Sequence, residues 1–135
     1  GPQSAYSLLR AAIRDDNPVL LLEPRILYSQ REDVVTGASA VGELGKAKVV
    51  SSGEDVTVVG FGSTVSTIET ALEGATLSAE IIDLQTLIPW DRETVMNSVS
   101  KTHKLVLVEE NPKSFGWGLE MHQDFFNSHI YLLFV

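Results

Sequence analysis

Cysteine is absent from the chain, which removes disulfides, thiolate zinc sites and cysteine nucleophiles from consideration. Positive charge is scarce: 10 Lys and Arg stand against 18 Asp and Glu, a formal net charge of −8. No basic cluster or basic-aromatic stripe offsets that balance, so neither a nucleic-acid surface nor an anionic-membrane binder is expected. No apolar run approaches the roughly 18 residues a membrane span needs, and no N-terminal signal pattern is present. Internal repeats and low-complexity tracts are missing too. What remains is a 44% hydrophobic composition over 135 residues, enough for one domain or one domain plus part of another. The start at Gly1-Pro2, without methionine, suggests a fragment or a processed chain.

In SAYSLLRAAIRDDN, Ala5, Leu8, Leu9, Ala12 and Ile13 recur at helical spacing and predict a helix with one buried stripe. Asn17-Pro18 ends it, because the residue before proline is pushed out of the helical region. PVLLLEP then reads as a strand buried on both faces and closed by Pro24. A helix and one strand build no core, so residues 1–24 read as the end of a domain whose other strands lie elsewhere. From Arg25 to Gly45 the pattern dissolves into charged and small residues, and 25–45 is expected to be a linker.

From Lys46 strands and helices alternate. GKAKVV and Val56 to Val59 read as strands, and STVSTIETALEG as a short helix with Ser63 as its cap. SAEIIDL is the next strand, broken by Pro89. Asp91 is placed to cap RETVMNSVSKT, whose Val95, Met96 and Val99 share a face. KLVLVEE follows, and the turn SFGWG leads into the helical GLEMHQDFF. The expected fold class is α/β, a three-layer domain with a mainly parallel sheet and right-handed crossovers over 46–135, preceded by the helix-strand remnant.

Few side chains form a chemical set. Gly60-Phe61-Gly62 lies between a strand and a helix, but Val65 stands where a dinucleotide fingerprint needs its third glycine. A tight turn is the better reading, as it is for the GWG turn, although strand C-termini are where open α/β sheets bind ligands. Glu109 and Glu110 are neighbours on a strand and point apart, so they make a poor acid/base pair. His103, His122 and His129 have no zinc spacing and are assigned solvated or capping roles. Ser63 lacks the Gly-x-Ser-x-Gly elbow of a hydrolase. AAIRDDNP is the exception: the last helical carbonyls, a carboxylate and an amide can converge on a hard cation such as potassium. Spacing alone leaves a solvated polar helix end as the favoured alternative.

LLRAAIRDDNPVLLLEPRILY, GKAKVV, GEDVTVVGFG, AEIIDLQTLIPWDRETVMNSVSKT and KLVLVEE follow one another as in a known family. Over residues 1–120 the chain resembles the beta subunit of the thiamine-diphosphate-dependent decarboxylase component of 2-oxo acid dehydrogenase complexes. The resemblance implies that 1–24 end a pyrimidine-binding domain and that 46–135 form a transketolase C-terminal-like domain, truncated and atypical after 120. It implies an α2β2 heterotetramer with an alpha subunit and a second beta subunit, docked to a dihydrolipoyl acyltransferase core. Thiamine diphosphate is the implied cofactor, but the residues that touch it lie upstream, so no catalytic residue is assigned and the chain alone is expected to be inactive. Residue by residue, the family's potassium site maps onto the carbonyls of Ala12 and Ile13 with Asp15 and Asn17, a further ligand coming from an earlier loop. EPRILY and LIPWD look closer to the branched-chain type than to the pyruvate type. Alternatives are a pyruvate enzyme, a non-catalytic assembly module of the same ancestry, or an acetoin or deoxyxylulose-phosphate enzyme. The implied location is the mitochondrial matrix in a eukaryote and the cytoplasm in a bacterium. Two departures stand out: the helix over 66–72 is shorter than the family's, and MHQDFFNSHIYLLFV does not align and ends apolar.

Overall fold

The computed structural model describes residues 1–111, 116–125 and 131–134. Helix α1 spans Pro2–Arg14, and β1 (Lys48–Ser51) and β2 (Val56–Gly60) follow. Then come α2 (Ser63–Leu72), β3 (Ala79–Asp83), α3 (Arg92–Thr102), β4 (Lys104–Leu107), α4 (Gly118–Phe125) and β5 (Tyr131–Phe134). The five strands form one sheet in the order β1-β3-β2-β4-β5. The pairings β2–β3, β2–β4 and β4–β5 are parallel, whereas β1 runs antiparallel to β3. A parallel pair needs a crossover of a dozen residues or more. Residues 52–55 permit only a reversal, so β1 comes back against the direction of its neighbours.

The sheet divides the core in two. Val59, Ile82, Leu105 and Leu107 face α3 and α4, where they meet Val95, Val99, Met121 and Phe125. Val56, Val58, Ala79 and Ile81 face the other way, toward Ile68 of α2. The three layers follow from strand alternation, since neighbours along a strand serve opposite faces. Val95 and Val99 are fully buried, and Met96 packs at the margin of the same cluster. On that face the buried Thr57 hydroxyl lies 2.7 Å from both Ser98 Oγ and Thr102 Oγ1, and Thr102 also donates to the Lys104 carbonyl. Those bonds satisfy hydroxyls whose burial would otherwise be unfavourable.

Several local expectations change. The segment 18–24 belongs to no strand: Leu20 and Leu22 are exposed, and no described strand lies beside it to complete a ladder. Residues 25–45 are no loose tether either. They form short 3-10 turns at Arg25–Ser29 and Ala38–Ala40, and residues 32–42 bond to α1. Gln3 brackets Val35, accepting its N–H at 2.7 Å and donating to its carbonyl. Glu32 accepts the Gln3 backbone N–H, Arg10 donates to the Gly37 carbonyl, and Gly42 N–H reaches Ser7 O at 3.0 Å. The missing sequence signal is physical: these bonds are long-range and side-chain-to-backbone, and leave no period. β3 ends at Asp83, ahead of Pro89, because Asp83 accepts the Gln85 N–H and Gln85 takes a positive φ of 56°. The apolar end of the chain, unplaced by sequence pattern, supplies β5 in register with β4, Tyr131 beside Lys104 through Phe134 beside Leu107.

Candidate functional site

Two places merit chemical scrutiny: the turn after α1, and the C-terminal ends of the parallel strands. Helix α1 closes with the Asp15 N–H bonded to the carbonyls of Ala11 and Ala12, at 3.1 and 3.4 Å. Asp15 itself is extended and ends the helix. Its Oδ1 accepts both the backbone N–H of Asn17 at 2.8 Å and the Asn17 amide at 3.0 Å. The Asn17 backbone N–H, then its side chain, hold the Asp15 carboxyl below its ordinary value and keep it ionised. Arg14 turns back along the helix and donates to the Arg10 carbonyl at 2.9 Å. The helix dipole adds negative potential at the turn.

The structure thus brings Asp15 and Asn17 into contact next to the Ala12 carbonyl, on an exposed surface. Ile13 is 72% exposed and offers only its backbone oxygen. Every donor in this set is a hard oxygen, which suits a monovalent or alkaline-earth cation and not a soft metal. No group of three or more His, Asp or Glu side chains that could hold a metal occurs among the described residues.

At the strand ends, Glu109 and Glu110 part as expected, although β4 has already ended at Leu107. Glu110 Oε1 accepts the Ser63 hydroxyl at 2.7 Å. Both oxygens of Glu109 reach the Gly118 N–H, at 3.3 and 3.4 Å. Each carboxylate therefore sits at the start of a different helix, α2 or α4, where the dipole favours negative charge. Ser63 is the first helical residue of α2 and not its cap; Gly62 holds that position with φ of 59°. No side chain caps α2; Thr64 instead ties its first turn to the preceding loop, Oγ1 accepting the Phe61 N–H at 3.0 Å and donating to the Phe61 carbonyl. A Cβ on Gly60 would stand 2.6 Å from Ile68 Cδ1 and 2.7 Å from Thr64 Oγ1. That glycine lets α2 approach its strand and cradles no phosphate.

The crevice that open α/β sheets reserve for ligands is filled here. Trp117 stacks edge-on against both Phe61 and Trp90, each at 6.0 Å between ring centroids, and donates its Nε1–H to the Leu87 carbonyl. The gap left under it, between Val59, Leu84 and Glu109, has a volume of about 10 Å³, at most one water. His103 ends α3 in the left-handed region, its N–H bonded to Val99 O. His129 lies outside the described residues, as does part of the SFGWG turn. Sequence reading missed Thr64 and Trp117; a threonine three residues after Phe61 was the available signal for the first. Asp91, by contrast, caps α3 as anticipated, accepting the Thr94 N–H at 3.1 Å.

The transketolase C-terminal domain family matches residues 45–131. Among curated proteins, the chain is 41% identical to the mitochondrial 2-oxoisovalerate dehydrogenase subunit beta of Dictyostelium discoideum, over 89% of this chain and 34% of that one. It is 45% identical to the pyruvate dehydrogenase E1 component subunit beta of Acholeplasma laidlawii, over 89% and 38%. The chain therefore spans about a third of the length of the curated relatives it matches. Among solved structures, a split gene transketolase described as an inactive beta4 tetramer superposes with a TM-score of 0.63 at 27% identity, over 76% of this chain and 35% of that one.

Proposed function

From a chain that belongs to the transketolase C-terminal domain family, and whose relatives include 2-oxo acid dehydrogenase beta subunits, we infer the C-terminal portion of such a subunit. The observation that carries this reading is continuity. The alignment with the mitochondrial pyruvate dehydrogenase E1 component subunit beta of Caenorhabditis elegans covers 96% of this chain, well beyond the domain match at 45–131, so the likeness is not confined to a widespread domain. Relatives of the 2-oxoisovalerate and pyruvate types match at 41% and 45% identity, which does not separate the two substrates. Trp90, one basis for the branched-chain expectation, packs on Trp117 and is occupied with holding a loop to the sheet. The reading is therefore pitched at oxidative decarboxylation of a 2-oxo acid as a class.

Within such an enzyme, thiamine diphosphate supplies the carbanion chemistry when bound. The residues here do not fit that cofactor: the starts of α2 and α4 already carry Glu110 and Glu109, which would repel a diphosphate. This chain's part is association with an alpha subunit and a second beta subunit, in the matrix or cytoplasm according to the host, and docking of the acyltransferase core. The 18–24 segment, with Leu20 and Leu22 exposed, becomes an interior strand once the preceding part of a pyrimidine-binding domain covers it. The division at 24 and 45 belongs to the same reading. At the turn after α1, the carbonyls of Ala12 and Ile13 with Asp15 and Asn17 hold a potassium ion that stiffens the turn.

A second reading, a non-catalytic assembly module, is favoured by the likeness to the transketolase described as an inactive beta4 tetramer. Mixing the purified chain with a 2-oxo acid dehydrogenase alpha subunit tests both readings. A heteromeric species on a sizing column, without turnover of any 2-oxo acid in thiamine diphosphate, is expected. Absence of association, with a homotetramer instead, supports the second reading; turnover by the chain alone overturns the claim that it is inert. For the cation, melting in potassium should exceed melting in tetramethylammonium, and Asp15→Ala should abolish the difference. Equal potassium stabilisation of both proteins removes the site.

A further inference from the structure

On its α2 side the sheet is incompletely covered. Helix α2 packs chiefly over β2 and β3. Beside its last turns lies an open groove of about 480 Å³, floored by Leu72, Leu77, Ala79 and Ile81 and bounded by Ser51 at the end of β1. Leu77 is 48% exposed, and Val50 on the same face is only half-buried. The end of β1 lines the groove at Ser51, and β1 is the last strand of the sheet, with no described strand paired to its outer side. An open edge and an adjoining apolar furrow are what an added strand requires.

The rim decides what kind of strand. Glu69 in α2 and Glu73, the extended residue that ends it, both line the groove four residues apart. Like charges at that spacing repel, and both lie toward the helix's negative pole, where cations are favoured. The last turn of α2 holds no basic residue, and neither glutamate enters an ion pair among the described residues. We propose that this groove and the β1 edge receive an extended, basic segment of a partner protein, its main chain pairing with Lys48–Ser51 and alternate lysine or arginine side chains reaching Glu69 and Glu73 with their aliphatic stems on Leu77. The charge of the whole chain steers such a segment in, and the groove fixes where it stops.

A short peptide alternating lysine with valine is the probe, titrated into the isotope-labelled chain and followed by amide shifts. Shifts confined to 48–52 and 69–78 are expected, with about tenfold weaker binding in the Glu69→Gln, Glu73→Gln double variant. The same peptide N-methylated on alternate amides should not bind, because it cannot complete a ladder. Shifts scattered over the acidic surface, or an N-methylated peptide that binds as well, overturn the proposal on the unaltered chain alone. Unchanged affinity in a folded double variant overturns it independently.

Discussion

Asp91 Oδ2 accepts the backbone N–H of Ala47 at 3.1 Å, tying the start of α3 to the residue ahead of β1. The same carboxylate accepts the N–H and the hydroxyl of Thr94, so one buried acid serves three donors from two distant segments. Burial works against its charge, but the Thr94 hydroxyl and the Ala47 and Thr94 N–H groups outweigh it and hold the carboxyl below its ordinary value. Asp91→Ala removes a cap and strands the Ala47 N–H, an expected loss of about 2–3 kcal/mol. Urea unfolding checks it; Asp91→Asn, which keeps an acceptor, should lose roughly half as much.

Glu80 and Lys101 give a dependence on pH. Glu80 is buried at 7% exposure and meets the Lys101 ammonium at 2.5 Å, with Glu54 a further 3.6 Å contact of that lysine. Burial raises the Glu80 carboxyl, yet the Lys101 hydrogen bond and charge, with the Ser98 hydroxyl and the Gly53 N–H, outweigh it and leave it below its ordinary value; the Glu80 hydrogen bond raises Lys101 above its own. A lowered carboxyl contributes stability that is present above the ordinary glutamate range near ~4.3 and fades as pH falls through the folded value. A raised lysine contributes below ~10.4 and fades as pH rises through its folded value. Lys101→Met should therefore depress the melting temperature most near neutrality, and progressively less as acidification carries Glu80 through its lowered folded value. A constant depression across that range would mean that the pair is not responsible.

Glycine tolerance should differ sharply between two sites. A Cβ on Gly53 would overlap the Ala79 carbonyl and the Glu80 nitrogen, backbone atoms locked into the sheet. Gly53→Ala is expected to cost about 3 kcal/mol. Gly74 has φ of 75° with nothing near its Cβ position, so Gly74→Ala should cost only the left-handed conformation, about 1–2 kcal/mol. Parallel denaturant curves for the two variants make the comparison.

Truncation before β5 should also be measurable. Removing residues 131–135 uncovers the edge of β4 along four register pairs. A loss on the order of 3 kcal/mol and a greater tendency to aggregate are expected, read by thermal melting and light scattering.

What the sequence made legible was whatever repeats. β2, β3, α3 and β4 announce themselves through apolar alternation and helical spacing, and Asp91 through its place ahead of a helix. The turn after α1 was legible as oxygen-rich chemistry, and Asp15 does meet Asn17 there. What stayed hidden depends on partners far along the chain. Nothing local in 25–45 reveals that Gln3 will hold Val35, or that Trp117 will close the crevice by reaching Leu87. The direction of β1 was likewise a matter of connection length, and its residues read the same in either orientation.

Glu109 and Glu110 have a consequence for which mutations the protein tolerates. Because adjacent residues attach to different helices, one to Gly118 and the other to Ser63, their order matters more than their identity. Replacing either with aspartate or glutamine leaves each helix facing its own acceptor. Inserting or deleting a single residue between Leu107 and Asn111 hands each helix the other's partner, or none. Descendants of this sequence should vary there in composition and hold fast in length.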